Sequence, residues 1–129
     1  MGKKFDLFIS YHREDREWAS KLAAALHERG VEAWLDMNEL KPGEEWRDSV
    51  LRALEDSPSV VFLISRGAAR SNYLAVELGM ALAEGKRIIP VLDEGVPLDE
   101  IPGPIRRRQY LQKAAPEVIA DKIAETVAV

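Results

Sequence analysis

Four short apolar runs divide this chain at intervals too long for hairpins: FDLFISY (5–11), VEAWLD (31–36), SVVFLIS (59–65) and RIIPVL (87–92). Each is nearly continuous in Phe, Val, Ile and Leu, without the alternation of a half-exposed strand, which is the pattern of parallel strands covered on both faces. Parallel neighbours cannot be joined by a tight turn and need a crossover long enough to hold a helix. A shorter fifth candidate is RQYLQ (108–112).

The intervening stretches carry helical periodicity. EDREWASKLAAALHERG repeats Trp18, Leu22 and Leu26 every fourth residue, with Gly30 placed as a left-handed stop. PGEEWRDSVLRALEDSP opens with Pro42 and Gly43, sets Trp46, Val50 and Leu54 on one stripe, and stops by Pro58. SNYLAVELGM (71–80) begins a third helix, capped by Ser71 and running to Gly85. APEVIADKIAETVAV forms the last, with Val118, Ile119, Ile123 and Val127 facing inward. The segment DEGVPLDEIPGPIRRR is expected to wander over the surface between strands four and five.

Alternating strand and helix implies right-handed crossovers and an α/β three-layer sandwich. The expected fold is flavodoxin-like: a five-stranded parallel sheet of order 2-1-3-4-5 with helices on both faces. Residues 1–129 are read as a single domain, as the length allows one ordinary core. Ligands of such sheets bind beyond the carboxyl ends of the strands, near the reversal of strand order. Those ends carry Ser10 and Tyr11, Asp36, Ser65 and Arg66, and Leu92 and Asp93.

Composition excludes several chemistries. Without cysteine there is no disulfide, thiol nucleophile or zinc-thiolate site, and His12 and His27 alone make no metal constellation. A net charge of −4 argues against nucleic acid as a partner, and RRR at 106–108 reads as a solvated face. No apolar run approaches the ~18 residues of a membrane span, and MGKKFDLF lacks a signal-peptide core, so the expected location is cytoplasmic with no membrane partner. A phosphate-binding loop is missing, because SYHRED after strand one has no glycine, and GxGxxG is missing for the same reason. A phosphate-accepting response regulator needs an aspartate at the end of strand three, where Ser65 and Arg66 stand, and a lysine-bearing loop after strand five, which is read as missing too.

Five segments in order carry a family likeness. FDLFISYHRED, AWLDMNELKPGEEW with Asp36, Leu40, Pro42, Gly43 and Trp46, SVVFLIS followed by SNYLAVEL, RIIPVL, and IPGPIRRRQYL together resemble a TIR (Toll/interleukin-1 receptor) domain of bacterial type. The aromatic usual in the third segment is Trp and here is Tyr73; the cysteine that often follows is Leu74. The resemblance implies one of two functions: cleavage of NAD+ between nicotinamide and ribose, or non-catalytic scaffolding by homotypic contact. It also implies an exposed loop at NELKPGEE, with Leu40, Pro42 and Gly43, that contacts other TIR domains in an oligomer or filament, and a longer parent chain carrying a sensor.

Glu77 matches the family's catalytic position. At ~100° per residue, Tyr73, Glu77, Met80 and Glu84 are expected along one side of the helix, off the core, while Leu74, Leu78, Ala81 and Leu82 face the sheet. Tyr73 then supports the substrate, and Ser10, Tyr11, Arg13 and Asp36 are candidate substrate-binding residues. Against these stand plain structural readings: Glu77 as a surface acid paired with a base, Arg13 paired with Glu14 or Glu17, Asp36 fixing the next loop, Trp46 in the core, His12 solvated. One carboxylate suffices because nicotinamide departs from a cationic ring as a neutral amide and needs no acid, unlike an ordinary glycoside leaving group. No cofactor is implied, since NAD+ is the substrate. A third possibility of the same architecture is a nucleoside deoxyribosyltransferase, which uses a glutamate on free deoxynucleosides.

Overall fold

The computed structural model describes residues 5–35, 52–69 and 72–127, the side chains of 72 and 73 excepted. Five strands, β1 (Leu7–Ser10), β2 (Ala33–Leu35), β3 (Ser59–Ile64), β4 (Arg87–Leu92) and β5 (Leu111–Gln112), pair in the order β2-β1-β3-β4-β5, all parallel. The expected topology is therefore the observed one. In register, Leu7 lies beside Ala33 and Ser59, and Ser59 beside Arg87, so the first four strands begin together at one rim, and β5 joins β4 only at Val91 and Leu92.

Alternate residues of the central strands feed two cores, which is why their sequences are apolar without a break. Leu7, Ile9, Val61, Leu63 and Val91 pack under α1 (Arg16–Glu28) and α5 (Pro116–Val127) with Leu22, Leu26, Ile119 and Ile123. Phe8, Val60, Phe62, Ile64 and Ile88 pack on the other face with Leu54, the helix α3 (Asn72–Ala83) and the short α4 (Gly103–Arg106). Phe8 and Trp34 stack across β1 and β2 with centroids 5.0 Å apart. The short helix α2 (Arg66–Ala69) follows β3 and is capped by Ser65, whose Oγ accepts from Ala68 N at 3.2 Å.

Two helices stop as their glycines predict. After α1, Gly30 takes φ +79° while its N–H bonds His27 O and Val31 N bonds Leu26 O, which closes the last turn with a left-handed residue. After α3, Gly85 at φ +66° repeats the arrangement, with Lys86 N on Ala81 O. Beside the first of these turns, Arg29 Nε donates to Asp121 Oδ1 at 2.6 Å and ties α1 to α5; that hydrogen bond holds the guanidinium pKa above its ordinary value.

Three expectations need correction. Val118 is 45% exposed, because the buried stripe of α5 is Ile119, Ala120 and Ile123, and a helix turns the preceding residue away. The segment between β4 and β5 does not merely cross the surface: a 3₁₀ turn (Leu98–Glu100) and α4 present Ile101 and Ile105 to the second core, both buried. Finally, β5 is followed at once by Lys113, so a lysine does stand on the loop after the fifth strand.

Candidate active site

The order of the strands reverses between β1 and β3, and β1 ends there in a serine. Alternation sends Ser10 to the same face as Phe8, toward α3. On α3 the buried residues are Leu74, Glu77, Leu78 and Ala81, a stripe at i, i+3, i+4 and i+7 in which the second member is an acid. Ser10 Oγ donates a hydrogen bond to Glu77 Oε1, joining the end of β1 to the middle of α3. Both residues are closed to solvent, Ser10 at 3% exposure and Glu77 at 0%.

The expectation that Glu77 points off the core is thus overturned. Leu82, placed on the core side from sequence, is exposed instead, and Met80 is half-buried. The helix is rotated so that the boundary of its apolar face runs past Glu77, and the serine hydroxyl helps to make that tolerable. A buried carboxylate is costly unless hydrogen bonds or opposite charge meet it. Keeping one on an otherwise apolar stripe breaks the local packing rule, and such breaches concentrate at functional sites.

Of the other candidates, Tyr11 is not brought to Glu77. It lies on the opposite face of the sheet, 4% exposed, in the core with Leu22 and Leu26. Arg13 opens a 3₁₀ turn (Arg13–Asp15) on the same rim and is exposed; among the described residues it pairs with neither Glu14 nor Glu17, the latter bridging Lys21 at 3.3 Å. Tyr73 occupies the first turn of α3 and its side chain lies outside the described residues, as do Asp36, Leu40, Pro42 and Gly43. Trp46 also lies outside them.

The structure adds residues that sequence reasoning missed. His12 is half-buried, not solvated: its Nδ1 accepts from Glu14 N at 3.3 Å, and its ring lies so close to Gly67 that a Cβ there would come within 3.3 Å. The loop after β1 therefore touches the start of α2. Farther along the same rim, Lys113 Nζ stands 3.5 Å from Asp93 Oδ2 and 4.0 Å from Asp15 Oδ1, over the Trp18 ring at 5.1 Å. Trp18 Nε1 donates to Ala114 O at 3.2 Å. A narrow cleft lined by Asp15, Ser65, Asp93 and Lys113 lies there. The available signal was a lysine directly after the final strand, on the rim where ligands of this fold gather.

No helix among the described residues is long and apolar enough to cross a membrane. Comparison with known proteins converges on one family. The sequence profile of the TIR domain matches residues 7–124. Among curated relatives, the NAD(+) hydrolase TcpA of a Theionarchaea archaeon is 28% identical over 102 residues, covering 76% of this chain and 31% of that protein. The 2′ cyclic ADP-D-ribose synthase AbTIR of Acinetobacter baumannii is 30% identical over 93 residues, covering 68% and 35%. Among solved structures, a metazoan TIR-STING receptor from C. gigas in complex with 2′,3′-cGAMP superposes with a TM-score of 0.80 at 25% identity, over 98% of this chain and 40% of that one. This chain accordingly spans about a third of the length of these two curated relatives. With the sheet order, the segments quoted from the sequence and the profile match all in agreement, this chain belongs to the TIR domain family.

Proposed function

We propose that this TIR domain cleaves NAD+ at the nicotinamide–ribose bond, with Glu77 as the catalytic carboxylate and Ser10 as the residue that positions it. The observation that carries this reading is the buried Ser10–Glu77 hydrogen bond at the point where strand order reverses. The NAD(+) hydrolase and cyclic ADP-ribose synthase among the relatives support it.

The chemistry asks little of the protein. As the bond between ribose C1′ and the pyridinium nitrogen breaks, its electron pair goes to the ring, which leaves as neutral nicotinamide. Positive charge develops on the ribose, and a carboxylate held in a low-dielectric surrounding stabilises it more strongly than one in water. Water then attacks C1′ and releases a proton to give ADP-ribose, or a nucleophile from the adenine end of the same molecule closes a ring. Ser10 fixes one carboxylate oxygen, so that the acid is held in place without reorganisation during the reaction.

Glu77 is sealed from solvent in the single chain, so the reacting form must open at the rim beside α3. Stacking of two TIR domains through the loop bearing Leu40, Pro42 and Gly43 is the proposed trigger. Tyr73, one turn before Glu77, is assigned to the substrate ring, and Arg13, exposed on the same rim, to its phosphates. Asp36 is kept as a candidate, next in sequence after Leu35, and Tyr11 is assigned to the core.

The complete burial of Glu77 also favours a second reading, a scaffold that acts only by homotypic contact. Incubation at high protein concentration with NAD+, and separately with pairs of deoxynucleosides and free bases, separates the possibilities. Release of nicotinamide supports the proposal. Silence on both substrates supports the scaffold, and base exchange on deoxynucleosides supports a deoxyribosyltransferase.

A further inference from the structure

The opposite rim of the sheet carries a feature that NAD+ cleavage leaves unused. β4 is six residues long and pairs along its whole length with β3, yet only Val91 and Leu92 pair with β5. Before Leu111 the chain diverges, and residues 108–110 stand away from the first half of β4. The gap is a groove of about 450 Å³ lined by Lys86, Arg87, Arg108, Gln109, Tyr110 and Thr126, with Ile88, Ile89 and Leu111 also contributing. That volume lies within the range of small-molecule sites.

Its charge is one-sided. Among the described residues three cations line it and no carboxylate does, in a chain whose net charge is −4. Each is anchored to a neutral acceptor: Arg87 Nη1 on Thr126 O at 2.7 Å, Arg108 Nη1 on Pro104 O at 2.6 Å, and Lys86 Nζ on Glu55 O at 3.2 Å. None of the three makes a salt bridge with the described residues. Backbone carbonyls therefore hold these head groups in place without neutralising them, and each keeps N–H donors to spare. A concave wall of one sign concentrates counter-ions. Beside the cations, Tyr110 exposes 45% of its surface, a large aromatic face with no described ring partner.

We propose that this groove binds a nucleotide bearing a diphosphate or longer phosphate chain, with the phosphates on Lys86, Arg87 and Arg108 and the base against Tyr110. Bidentate guanidinium contacts suit phosphate oxygens, and a tyrosine face suits a flat ring. The site is separate from Glu77. Ser10 sits in register with Pro90, three residues, or about 10 Å, farther along the strands than Arg87, and β3 lies between β1 and β4. A ligand here occupies the face beside β5 and α5 and leaves the reaction rim open.

The test is titration calorimetry of the whole chain with ADP, adenosine, inorganic pyrophosphate and an oligoglutamate peptide. ADP is expected to bind, pyrophosphate to bind more weakly, and adenosine and the peptide to bind less than either. Arg108→Glu should weaken ADP and pyrophosphate by about tenfold or more, as loss of a charge-assisted contact does. Tyr110→Ala should weaken ADP but not pyrophosphate, and because both side chains are partly exposed, folding is checked by circular dichroism and Lys86→Glu serves as a second variant. Glu77→Gln should leave ADP binding unchanged, and Arg108→Glu should leave nicotinamide release at the parent rate, so failure here and failure of the catalytic reading are told apart. No binding of ADP or pyrophosphate at millimolar concentration, equal binding of the peptide, or ADP binding lost in Glu77→Gln yet kept in both charge reversals would overturn the proposal.

Discussion

Ser10 and Glu77 depend on one another: a strand-end serine next to an apolar helix face gives a buried hydroxyl, and a glutamate on that face gives a buried acid. Ser10→Ala leaves a carboxylate oxygen without that donor. The expected cost is about 1–3 kcal/mol of stability, read from urea denaturation, and a drop in nicotinamide release of between about tenfold and a hundredfold from lost aim. Glu77 was legible as the candidate acid, since it stands at a family position, but its burial was not. Residues 73, 77, 80 and 84 and residues 74, 77, 78 and 81 are both valid stripes through this helix; which one meets the sheet depends on where the helix is docked, and that is set by tertiary contacts. Tyr11 misled for a related reason. One step along an extended chain reverses the face, so the neighbour of a site residue at a strand end packs into the opposite core.

At the level of elements, the apolar runs were a sufficient guide to β1, β3 and β4, whose two-sided burial leaves no alternative pattern. The edge strands were harder: β5 has only two residues in ladder pairing, and its position is fixed by Leu111 against β4, not by any run of its own. The irregular segment before it hides two core residues because single isoleucines amid Pro, Asp and Arg carry no periodic signal. Ile105→Ala is expected to cost about 2–5 kcal/mol, measured by chemical denaturation; a surface crossing would lose almost nothing. Helix ends were plain from glycine. A Cβ on Gly30 would meet nothing within 4 Å, so Gly30→Ala tests backbone conformation alone and should destabilise by about 1–2 kcal/mol through the left-handed geometry.

For the whole molecule, the parallel sheet puts different chemistry on its two rims. Glu77, Arg13 and the Lys113 cluster gather toward the carboxyl ends, and the Lys86–Arg87 groove lies toward the amino ends. On the proposed reading a sealed Glu77 must be uncovered, so specific activity should rise with protein concentration, and Pro42→Ala or Gly43→Ala should lower it without shifting the thermal midpoint, checked by progress curves and calorimetry side by side. The most direct measurement is nicotinamide release by assembled protein carrying Glu77→Gln, which keeps the shape and an acceptor for Ser10 but removes the charge. The expected result is a folded, self-associating protein whose release falls to the background of a protein-free control; release at the parent rate would contradict a catalytic Glu77.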